Sequence, residues 1–119
     1  MKTLLKLEEA AQLAVAAYLA MQLPYAGWLY WALFLTPDIS MLGYLVNTQT
    51  GAFTYNLFHH KAAGLIIYLT GLAIASTGWQ FTGLLLFGHS AFDRIFGYGL
   101  KYSDDFKNTH LGWIGKTSP

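Results

Sequence analysis

Apolar residues run along this chain in four long blocks, set apart by short clusters of proline, glycine and small polar residues. The first block, Leu7 to Leu23, holds few helix breakers and stops at Pro24 and Gly27. The second, Trp28 to Val46, is interrupted by Thr36-Pro37-Asp38, and the third, Asn56 to Ala75, follows a polar connection Asn47-Thr48-Gln49-Thr50-Gly51. Ser76-Thr77-Gly78 then turns the chain into the fourth, Trp79 to Phe96. A helix needs about 20 mainly apolar residues to cross the hydrocarbon core of a membrane, and short connections make successive helices antiparallel neighbours. The expected fold is all-α. Residues 1–96 form a four-helix transmembrane bundle with a kinked or broken second helix, and residues 97–119 form a cytoplasmic amphipathic tail packing on the bundle.

The placement of charge sharpens this picture. After Glu9 the next charged residues are Asp38, Lys61 and Asp93, which leaves uncharged stretches of 28, 22 and 31 residues. Only 11% of the 119 residues are charged and 55% are hydrophobic, whereas a soluble domain carries about 25% charged residues. Lys2, Lys6, Lys61, Arg94, Lys101, Lys107 and Lys116 all fall on one side of such a bundle, and the loops around Pro24 and Gly78 carry no charge. The positive-inside rule then puts both termini in the cytoplasm. Tyr25, Trp28, Tyr30, Trp31 and Trp79 sit beside the opposite loops, as an interfacial aromatic belt does. Glu8 and Glu9 open the first block and no small-x-small site precedes Pro24, so this block reads as a span and not as a signal peptide. The net charge of +1 offers no basic stripe for nucleic acid, and the lack of cysteine excludes disulfides and thiolate ligands.

Polar residues inside apolar helices are costly and point to function by default. Asp38 is the lone charge of its block, and Pro37 suits the first turn of a new half-helix with Thr36 as its N-cap. His89 and Asp93 lie four apart on one face of the fourth helix, with Arg94 beside them. The third block opens with Asn56, His59, His60 and Lys61, and the first with Glu8, Glu9 and Gln12. All these groups fall in the cytoplasmic half of the bundle. Asp38, His59, His89 and Asp93 offer two carboxylates and two imidazoles, a donor set that suits zinc or iron.

Several stretches resemble a known family. Pro37-Asp38-Ile39-Ser40-Met41-Leu42-Gly43-Tyr44, Tyr55-Asn56-x-x-His59, His89-x-x-x-Asp93-Arg94-x-x-Gly97-Tyr98-Gly99-Leu100-Lys101-Tyr102 and Thr109-His110-Leu111-Gly112 look like the motifs of a bacterial family of small four-helix membrane proteins of unknown function. A lesser similarity, in the Pro-Asp element and the histidines, links the chain to membrane-bound metal-dependent hydrolases. The resemblance implies a multi-pass protein of the bacterial inner membrane.

Three readings follow. In the first, a divalent metal on His59, His89, Asp93 and Asp38 activates water to hydrolyse a lipid or lipid-linked substrate. Asp38, His89, Asp93 and His110 then carry the chemistry, while Glu8, Asn56, Arg94 and Lys101 orient ligands or hold an anionic substrate group. In the second, the polar cluster only joins helices, and the chain is a structural or accessory subunit of a larger membrane complex, or a homo-oligomer. In the third, the same Asp/His chain handles protons.

Overall fold

The computed structural model describes residues 2–96, 108, 109 and 111–113. Five α-helices lie in this part: α1 (Lys2–Met21), α2 (Gly27–Ala32), α3 (Thr48–Phe58), α4 (Lys61–Ala73) and α5 (Thr77–Ile95). A 3-10 helix, Thr36–Leu45, separates α2 from α3. Near the C-terminal end, β1 (Asn108–Thr109) pairs antiparallel with β2 (Gly112–Trp113).

Each helix starts or stops for a local reason. Leucine, alanine, glutamate and lysine, all strong helix formers, fill α1, and Pro24 bars its continuation. Asn47 caps α3 by accepting the Thr50 amide at 2.7 Å, and Ser76 caps α5 through the Trp79 amide at 3.3 Å. The exit from α4 is a Schellman turn: the Ser76 amide bonds the Gly71 carbonyl at 2.8 Å and the Ala75 amide bonds the Leu72 carbonyl at 3.3 Å. Ala75 holds the left-handed position of that turn, with φ of 55°. Glycine adopts this conformation without the steric cost that a Cβ imposes, about 1–2 kcal/mol, and gives back part of the gain as backbone entropy. Ala75→Gly should therefore raise stability by about 0.5–1 kcal/mol, read as a higher midpoint of thermal unfolding.

The core is a layer of three antiparallel helices with α5 in the middle, packed on one side by α1 and on the other by α4. Lys61 Nζ donates to Glu9 Oε1 at 2.6 Å and so pins the start of α4 to the N-terminal half of α1; at the opposite end Tyr25 and Thr77 hydroxyls meet at 3.0 Å. Ala16 and Ala20 of α1 meet Leu84, Leu85 and Phe81 of α5 in a buried cluster completed by Tyr30 and Phe34. Tyr30 also donates to the Leu84 carbonyl at 2.7 Å, which fastens α2 to α5. Between α4 and α5 the backbones themselves touch. A Cβ on Gly64 would lie 2.9 Å from the Phe87 nitrogen and 3.0 Å from the Gly83 carbonyl oxygen, so only glycine permits this crossing.

The 3-10 helix and α3 form a second unit, a hairpin that folds back so that Gly43 abuts Thr54 and the Tyr44 ring covers Gly51. Large apolar side chains, among them Leu7, Val15, Leu45, Phe53, Ile66 and Leu69, point outward, while His59, His89, Ser90 and Asp93 are buried.

The second block is broken as expected, and the third, expected to be one helix, is broken as well. The second apolar block breaks at Leu33–Leu35 into α2 and a 3-10 helix, and the third breaks at His59–His60 between α3 and α4. The polar stretch Asn47–Gly51 is no loop: it caps and opens α3, because Asn47 supplies the side-chain acceptor a helix start needs. Thr36 does not cap its helix; its hydroxyl donates backward to the Leu33 carbonyl at 2.7 Å. Among the described residues no helix is long and apolar enough to cross a membrane. α1 has the length, but Lys2, Lys6, Glu8 and Glu9 crowd its first half, and α5 carries Gln80, His89, Asp93 and Arg94. Of the expected C-terminal tail, only the β1–β2 turn is described, with Thr109 buried in it and its hydroxyl accepting the Leu111 amide at 3.2 Å.

Candidate metal centre

Three separate elements deliver four side chains to one point. His89 and Asp93 stand one turn apart on α5, His59 ends α3 as its C-terminal cap, and Asp38 lies in the first turn of the 3-10 helix. Asp38 Oδ1 is 3.2 Å from His59 Nε2 and 3.0 Å from His89 Nε2. Asp93 Oδ2 is 3.3 Å from His59 Nε2 and 3.5 Å from His89 Nε2. One ligand atom from each residue can be chosen so that all four lie within 4.8 Å of one another.

The orientation of each imidazole has a physical cause. Pro37 has no N–H, so within the 3-10 ladder the Phe34 carbonyl, three residues earlier, loses its backbone donor. His89 takes that place, its Nδ1–H donating to the Phe34 oxygen at 2.7 Å. His59 likewise points Nδ1 at the Tyr55 carbonyl, 2.9 Å away, and its ring stacks on the Tyr55 ring at 3.8 Å and 6°. A carbonyl only accepts, so in both residues Nδ1 must carry the hydrogen. Nε2 of each ring is left facing two carboxylates, either as a lone pair or as a second N–H. Tyr55 adds a third constraint: its hydroxyl donates to Asp93 Oδ2 at 3.1 Å. His59 is 3% exposed, His89 is wholly buried, and the Asp93 side chain is 13% exposed, whereas that of Asp38 is 43% exposed.

In its histidine–aspartate edges this arrangement approaches what a small divalent cation requires, while the four ligand atoms as a set spread over up to 4.8 Å. Four donors on a tetrahedron with bonds of about 2.1 Å stand about 3.4 Å apart, and the four histidine–aspartate separations run from 3.0 to 3.5 Å. Ligating histidines ordinarily bind through one nitrogen and donate the other N–H to a carbonyl or carboxylate, which fixes tautomer and ring plane. Both histidines do so here. Neutral imidazoles would set two lone pairs against two anionic oxygens with nothing positive between them, so the cluster needs either two protons or one cation.

The remaining candidates are distributed as follows. Glu8 is exposed on α1, and it is Glu9 that turns inward to Lys61. Arg94 is half-buried and its Nη2 reaches the His59 carbonyl at 3.4 Å; no carboxylate among the described residues lies within ion-pair distance of it. Asn56 is half-buried on α3 one turn before His59. Lys101 and His110 lie outside the described residues. Tyr55, which the sequence places ahead of the third helix, lies on α3 four residues before His59 and so shares its face.

Fold and side chains together define an all-α bundle that gathers two histidines and two aspartates in its interior. The chain belongs to the family described as Domain of unknown function (DUF4260), whose profile covers residues 2–114. No curated protein and no solved structure matches it.

Proposed function

We propose that this chain is a membrane-embedded metalloprotein that uses one divalent ion, zinc or iron, for hydrolysis of a lipid or lipid-linked substrate. The observation that carries the reading is the convergence of Asp38, His59, His89 and Asp93 with both Nδ1 atoms already committed to carbonyls. A bound ion there would lower the pKa of a coordinated water to about 7 and so supply hydroxide near neutral pH. Arg94, beside Asp93 and not ion-paired among the described residues, is the cation placed to take an anionic headgroup.

In this reading the chain sits in a bilayer, the bacterial inner membrane, with its outward apolar side chains facing lipid and the polar cluster enclosed among the helices. Broken helices at membrane depth are tolerated where protein or a polar cavity lines them, and both breaks, at Leu33–Leu35 just before the helix that carries Asp38 and at His59–His60, adjoin the cluster. The starts of α1 and α4 and the end of α5 share one end of the layer, which brings Lys2, Lys6, Lys61 and Arg94 together on the side that the positive-inside rule makes cytoplasmic.

Elemental analysis of the detergent-purified chain tests the reading. The expected content is about one zinc or iron ion per chain, in keeping with a single four-donor site. A chain isolated without metal that also takes up neither Zn²⁺ nor Co²⁺ would favour the accessory-subunit reading, in which doubly protonated histidines simply bind the two aspartates.

A further inference from the structure

A divalent ion held by all four side chains would have its tetrahedron filled, as structural ions do, while a hydrolytic ion needs an open position. The structure resolves this through an asymmetry among the four donors. We propose that Asp38 is an exchangeable ligand: His59, His89 and Asp93 hold the ion permanently, and departure of Asp38 opens the position that water or a substrate oxygen takes. The inference rests on the metal reading of this site.

Three independent features set Asp38 apart. Each of the other ligands is fixed from behind, His89 by the Phe34 carbonyl, His59 by the Tyr55 carbonyl and ring, and Asp93 by the Tyr55 hydroxyl. Among the described residues the Asp38 carboxylate hydrogen-bonds only the two imidazoles, both through Oδ1. Its carboxylate is 43% exposed, so the space it vacates is open to the outside and not to the core. Finally, its carrier is a 3-10 helix of 10 residues. Runs of this helix beyond about 3–4 residues are uncommon because their hydrogen bonds are poorly aligned, and such stretches often mark hinges. The rigid α5 holds two of the permanent ligands. The three-ligand remainder, two imidazoles and one carboxylate, is the set that leaves positions open on catalytic iron and zinc.

The test uses the full chain in detergent loaded with Co²⁺, whose visible absorption is intense when four-coordinate and weak when water adds to the shell. Wild type should bind one Co²⁺ with the intense spectrum. Asp38→Asn and Asp38→Ala should still bind it, with the intensity reduced. Added azide should enter the wild-type shell only at high concentration. A tethered carboxylate competes at roughly millimolar effective concentration, so the Asp38 variants should take azide at an about tenfold lower level or less. Loss of Co²⁺ from Asp38→Asn as complete as from His89→Ala would overturn the proposal by making Asp38 a permanent ligand. An unchanged spectrum and azide response would overturn it by showing that Asp38 is no ligand. Failure of wild type itself to bind Co²⁺ removes the metal reading together with this inference, so the two failures are told apart by the wild-type arm alone.

Discussion

His89→Ala is expected to empty the metal centre and to abolish any stabilisation of the protein by added metal. His89 is wholly buried, and Nε2 lies within 3.5 Å of both carboxylates. Truncation deletes one donor and leaves Asp38 and Asp93 converging on a void with a single imidazole between them. It also orphans the Phe34 carbonyl, which has no backbone donor because Pro37 lacks an N–H. A buried acceptor left unpaired costs about 1–3 kcal/mol. The metal readout separates this structural cost from loss of the site. A ligand present at 100 times its Kd stabilises the native state by about 2.7 kcal/mol, so Zn²⁺ should raise the unfolding midpoint of wild type and leave that of His89→Ala where it was. Elemental analysis of the variant should fall to background. A variant that keeps its ion, or whose midpoint rises with Zn²⁺ as wild type does, would dismiss His89 as a ligand.

Gly83→Leu should be the most damaging substitution away from the cluster. A Cβ on Gly83 would collide with the Tyr68 nitrogen and lie 2.6 Å from the Gly64 carbonyl oxygen and 2.7 Å from the Tyr68 Cα. These are backbone atoms of a helix and cannot swing aside, so α4 and α5 must separate. Overpacking usually costs about 1–3 kcal/mol, and the upper end or more is expected here because no flexible side chain can yield. Gly27→Ala is the matched control, since a Cβ there meets nothing within 4 Å, and its effect should stay within about 0.5 kcal/mol. Thermal unfolding followed by helical circular dichroism compares the two. Because α5 carries His89 and Asp93 while α4 begins directly after His59–His60, separation of these helices should weaken metal binding as well. Equal midpoints for the two variants would mean that the α4–α5 crossing is looser than the backbone distances imply.

Much of the cluster was legible before any fold was known, and the reason differs for each residue. The spacing of four puts His89 and Asp93 on one helix face whatever the surroundings. Asp38 stands out as the lone charge among the 51 residues between Glu9 and Lys61, with 28 before it and 22 after, and a proline precedes it. His59 is legible as a polar residue near a block boundary, but not as the end of a helix, because the polar run from Asn47 has the composition of a loop and its cap shows only in the fold. The choice between Glu8 and Glu9 depended on the rotational phase of α1 about its axis, which adjacent residues of the same type cannot reveal. The same limit hid Tyr55, whose role comes from a hydroxyl that reaches another helix.

By itself the sequence determined the all-α class, the apolar blocks, a turn just ahead of α5 and an interruption of the second block close to Pro37, since these follow from local propensity, missing donors and charge spacing, all short-range properties. Tertiary structure alone decided that the third block also breaks, that the second continues as a 3-10 helix folded against α3, and that Asp38 Oδ1 meets Nε2 of His59 and His89 within 3.2 Å. Those outcomes rest on contacts between residues 21 and 51 positions apart. Helix periodicity says nothing about which faces meet across such distances; the glycines at the α4–α5 crossing and the Phe34 carbonyl freed by Pro37 do.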